Sequence, residues 1–85
     1  MTLDEIKDKL PSEAIPLLDK IISEQPENEE AYIMRGMKHW ALGNRSNAIK
    51  DYLAAIRINP DSKAKMALQS ANAILDFYNK DLLNP

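Results

Sequence analysis

The residues of this chain that are able to do chemistry are few and far apart. His39 is the only histidine and there is no cysteine. A histidine becomes a general base, a general acid or a ligand only with a nucleophile, an orienting group or further ligands around it, and without thiols there is no disulfide framework, thiolate metal site or thiol catalysis. Ser12, Ser23, Ser46, Ser62 and Ser70 fall at caps or on helix faces rather than in a nucleophile elbow. The carboxylate pairs Glu29/Glu30 and Asp76/Asp81 read as helix-start charges and solvated faces rather than as acid/base dyads. Gly36 and Gly43, the only two glycines, do not have the spacing of a phosphate-cradling loop. No catalytic, cofactor or metal site is expected, and the chain reads as a binding protein rather than an enzyme.

Charge and length narrow the classes further. The 85 residues suit one domain, with 45% hydrophobic and 28% charged residues, the balance of a globular chain. The formal net charge is −2, and a nucleic-acid binder ordinarily carries a basic face. Lys63, Lys65, Lys80, Arg45, Lys50 and Arg57 read as solvated helix faces, so no nucleic-acid partner is expected. The N-terminal residues are acidic from Asp4 onward with no apolar h-region, and no apolar run approaches the ~20 residues of a membrane span. The expectation is a soluble cytoplasmic protein with no membrane partner, the cysteine-free composition fitting a reducing compartment.

Positioning falls to helices. Asn28 suits an N-cap, with Glu29 and Glu30 in the first turn. That helix should run to about Leu42 and stop at Gly43, a natural left-handed C′ residue. Asn44 or Ser46 starts the next, whose stripe is Ala48, Ile49, Tyr52, Ala55 and Ile56, and Pro60 ends it. Before this, Leu3, Ile6 and Leu10 give a short amphipathic turn or two. Ser12 is then expected to cap a helix with Ala14, Leu17, Leu18, Ile21 and Ile22 as its stripe and Pro16 in its first turn. From about Ser62 a last helix carries Met66, Ala67, Ala71, Ile74, Leu75 and Tyr78. Five helices are therefore expected, the last one long.

A repeat underlies this order. Pro26 and Pro60 lie 34 residues apart, and the same offset carries Ser12 onto Ser46, Ala14 onto Ala48, Ile15 onto Ile49, Ile22 onto Ile56 and Asn28 onto Ser62. Residues 29–62 resemble a tetratricopeptide repeat through Tyr32, Gly36, His39 with Trp40, Gly43, Ala48, Tyr52, Ala55 and Pro60. Arg35 departs from the pattern, which usually has leucine before the glycine, so local packing is weakened or the arginine stem lies over the core. The resemblance implies an all-α fold of antiparallel helix pairs stacked as a short right-handed solenoid, with 1–28 a partial repeat, 29–62 a full one and 63–85 a capping helix. His39 then takes a packing position.

In this family the first helix of each repeat lines a concave face that holds peptides. The resemblance places Glu30, Ile33, Met34, Met37, Trp40 and Ala41 there, and then Ala64, Ala67, Leu68 and Ala71. Terminal helices folding over that face would make the same residues core; Ile33 and Met34 fit both readings, while core contact is favoured for Met37 and Trp40. Ile33 and Met37 stand where one branch of the family needs a cation and an amide to clamp a C-terminal carboxylate, so that mode is not expected. The implied function is a protein-interaction module or adaptor with an unidentified protein or peptide partner and no cofactor. The alternative is a self-assembling chain that homodimerises through its apolar face, since about three repeats are usual for a stable array.

Overall fold

The computed structural model describes residues 2–70. The capping helix expected over 63–85, with Ala71, Ile74, Leu75 and Tyr78, therefore lies largely outside the described residues. Within them the regular structure is helical: α1 (Leu3–Ile6), α2 (Pro11–Glu24), α3 (Glu29–Ala41) and α4 (Arg45–Ile58), and a fifth helix, α5, described over 64–70.

Each boundary has a local cause. The Asn28 side chain accepts a hydrogen bond from the Ala31 N–H at 3.1 Å, capping α3. At the other end Leu42 is the C-cap and Gly43 takes φ +83°. The Gly43 N–H donates to the Trp40 carbonyl at 3.0 Å and the Asn44 N–H to the His39 carbonyl at 2.9 Å. These two bonds are those of a Schellman turn, which uses up the carbonyls a helix end leaves bare. α4 then starts after only three residues, so it must fold back on α3. It ends at Ile58, ahead of Pro60. The Ser62 hydroxyl accepts the Ala64 N–H at 3.1 Å and opens α5.

The N-terminal third departs from expectation at three residues. Ser12 is not the cap of α2: Leu10 is the N-cap residue and Pro11 the first in the helix. Proline there gives up an N–H that has no partner anyway, and its fixed φ suits the helix, so it moves the start forward. Pro16 consequently lies inside α2 rather than in its first turn, removing one main-chain bond to the Ser12 carbonyl. Leu10, expected on the α1 stripe, is 65% exposed.

The core has two clusters that share α3. Ile6, Ala14, Leu18, Ile22 and Ala31 form the first, with Leu17, Ile21, Tyr32 and Met34 packed against it. Ile33, Ala48, Tyr52, Ala55 and Ala64 form the second, flanked by Tyr32, Trp40, Ile56, Ala67 and Leu68. Tyr32 borders both. The α3–α4 interface is the largest, then α2–α3, with α1–α2 much smaller. α3 and α4 approach closely because Gly36 has no side chain. A Cβ on it would sit 2.7 Å from Tyr52 Cε1 and 3.3 Å from the Ala48 carbonyl oxygen. The packing is that of a helical-repeat stack.

Candidate functional site

α3 packs on α4 and α2, and another of its faces carries the candidate site. Glu30, Ile33, Met34, Met37, Lys38 and Ala41 recur at helical spacing on one stripe, facing Leu3 and Asp4 of α1, Lys7 just after it, and Pro11 at the start of α2. Between them lies a groove of about 540 Å³, with Lys63 at its rim. Its floor is apolar: Ile33, Met34, Met37 and Ala41 from one side, Leu3 and Pro11 from the other. Ile33 is buried and Met34 half-buried, whereas Met37 is 58% exposed. Sequence reasoning favoured core contact for Met37. Among the described residues Met37 is a surface position of the groove rather than a core residue.

Three of the charged side chains along the groove, Glu30, Lys38 and Lys63, have partners. Lys63 Nζ lies 3.3 Å from Glu30 Oε2. Lys38 Nζ donates to the Lys7 and Lys9 carbonyls at 2.6 and 2.8 Å. Glu29, one residue before the stripe, accepts the Asn59 side-chain amide at 3.0 Å. Its carboxyl is held below its ordinary range by hydrogen bonds from Ser62 and then Asn59, with Lys63 adding attraction. The first turn of α3 is thereby tied to the loop that follows α4.

The rotation of α3 about its axis, which decides what faces the groove, is fixed by Arg35. Its Nε and Nη2 donate to the two oxygens of Asp51 on α4 at 2.9 and 2.7 Å, and Nη1 donates to Asp19 on α2 at 2.9 Å. The guanidinium also lies 5.6 Å from the centre of the Tyr32 ring. Asp51 is 7% exposed and Asp19 is 56% exposed. The hydrogen bond to Asp51 raises the Arg35 pKa against the opposing effect of burial. The node joins three helices through one planar fork, a geometry that lysine does not supply.

The expected site residues fall into two groups. Glu30, Ile33, Met34 and Met37 come together in the groove. Trp40, Ala67 and Leu68 pack on the second cluster, on the α4 and α5 side, with the Arg45 guanidinium 5.2 Å over the Trp40 ring. Ala71 lies outside the described residues. Sequence reasoning missed Lys38 and the contribution of α1. Lys38 and Trp40 flank the stripe on opposite sides, so the helical period fits either of them, and only the position of α1 decides. His39 Nδ1 is buried and has no hydrogen-bond partner among the described residues. Among those residues no group of three or more His, Cys, Asp or Glu side chains stands together to hold a metal ion. No described helix is long and apolar enough to cross a membrane.

Compared with known families, residues 29–62 match the model of the tetratricopeptide repeat. No curated protein and no solved structure matches the chain.

Proposed function

Residues 29–62 are a tetratricopeptide repeat, and from that premise we propose that the chain is a non-catalytic protein-interaction module that receives a peptide or protein surface in the groove between α1 and α3. The observation that carries the reading is the apolar stripe itself. Met34 and Met37 offer adaptable thioether side chains over an apolar floor, with the charges of Glu30, Lys38 and Lys63 beside it engaged. Binding there covers apolar surface, the favourable term in most protein association. The reading includes right-handed stacking of 1–28, 29–62 and 63–85, with the last segment as a cap, and a reducing, cytoplasmic setting.

The test compares capture of partners by the tagged wild-type chain, Met37→Glu and Leu53→Glu, with melting temperature measured on each. Leu53 is 51% exposed on α4 and is not among the groove residues. We expect Met37→Glu to lose the proteins that the wild type and Leu53→Glu both retain, with little change in melting temperature. Retention of those proteins by Met37→Glu, or equal loss from both variants, contradicts the reading.

A further inference from the structure

We propose that α1 is a latched, removable wall of the groove, and that Lys38 is its latch. A four-residue helix does not hold itself together: nucleation fixes several dihedrals for the first hydrogen bond, and α1 has almost no length over which to recover that cost. Its packing against α2 is the smallest helix–helix interface noted above. Leu3 packs at the edge of the first cluster, and two further contacts hold α1 down. One is Ile6, fully buried in the first cluster. The other is the Lys38 ammonium, which reaches from α3 to the carbonyls of Lys7 and Lys9 at 2.6 and 2.8 Å. Those carbonyls follow the end of α1, where a helix leaves acceptors unpaired and carries partial negative charge. Lys38 thus caps α1 from another helix. Two of its three donors are committed to that task.

Release of the strap over residues 2–10 takes Leu3, Asp4 and Lys7 out of the groove. It leaves the second cluster untouched, because no residue of the strap belongs to it. Opening is therefore local and separable from unfolding of α3 and α4. The consequence for a partner, a groove that widens when the latch lets go, rests on the functional reading above. The latch itself does not.

Amide hydrogen exchange tests it without any partner. The Ile6, Lys7 and Lys9 N–H groups donate to the Thr2, Leu3 and Ile6 carbonyls, so their exchange reports the strap, while the amides of α4 report the body. In the wild type the strap amides should exchange faster than those of α4. Lys38→Met, which keeps the stem and loses both bonds, should speed the strap by about tenfold or more and leave α4 unchanged. Lys38→Arg, which restores two donors, should return it toward the wild-type rate. Strap exchange insensitive to Lys38→Met overturns the proposal. Should Lys38→Met lower protection everywhere, the wild type alone decides: strap amides as slow as those of α4 mean there is no separable wall. Because no ligand enters the measurement, a failure of the Met37→Glu test leaves this result standing, and the reverse holds too.

Discussion

Gly36 is where the sequence and the packing agree most closely. Alanine there gains about 1 kcal/mol of helix propensity. Its methyl group, however, would meet the Tyr52 ring at 2.7 Å and the Ala48 carbonyl oxygen at 3.3 Å, and overpacking of this kind costs about 1–3 kcal/mol. The carbonyl belongs to the backbone of α4 and yields little, so the clash should win. Gly36→Ala is expected to lower stability by about 1 kcal/mol in denaturant titrations, and Gly36→Val by more. Glu29 gives a prediction in pH. Its folded pKa lies below the usual 4.5, through Ser62, Asn59 and Lys63. Its contribution is therefore present above the unfolded value and is lost as pH falls through the folded one. Melting temperatures measured from neutral pH down through this range should fall on the acid side, and Glu29→Gln should flatten that fall. Gly36, Gly43 and Asn28 were legible at this scale because each does a local task that few residue types can do.

Arg35 belongs to the element scale, since its partners lie on α2 and α4. Read alone, it was only a departure from leucine, consistent either with loose packing or with a stem over the core. The structure shows a third arrangement, a guanidinium held between Asp19 and Asp51. Neither aspartate lies at a repeat position that marks it as a partner, which is why the sequence did not reveal it. Arg35→Leu strands Asp51, which is 7% exposed, without its two charged bonds. A loss of about 2–3 kcal/mol is expected, in the range of hydrogen bonds to charged groups. Replacing both, as Arg35→Leu with Asp51→Leu, should recover most of that loss, because well-packed apolar residues often match a buried ion pair. Equal stability of Arg35→Leu and the double variant in urea would argue that a stranded Asp51 is not the source of the loss. The helical period fixed the stripe of α3 in the same partial way. It gave Ile33, Met34 and Met37 but not the side on which the stripe ends, since that depends on the neighbour at each edge.

At the scale of the whole molecule, the two core clusters of the described residues meet along α3. Their fully buried large side chains are Ile6 and Leu18, both in the first cluster; the second is built from alanines around Tyr52 and Ile33. The 34-residue offset made the second cluster readable, because the family pattern specifies small residues and one aromatic at set positions. The first was harder to read. It uses a stub of helix in place of a full one, and Pro11 shifts the start of α2 relative to the capping signal at Ser12. How a truncated helix is retained is a question of contacts distant in sequence, here between Lys38 and a strap 29 to 31 residues earlier, and no local pattern encodes that.

The node at Arg35 also bears on how such a chain is inherited or engineered. Stacked repeats are commonly treated as interchangeable parts, added or deleted because every junction is greasy and alike. This junction is keyed. A repeat grafted in place of 29–62 with the usual leucine brings no cation for Asp19, and a new segment before it that lacks an acid near position 19 leaves one prong of the fork unused. Duplication of the unit therefore does not reproduce its own mating surface. Moving or copying the unit would require matched changes on both sides of this joint.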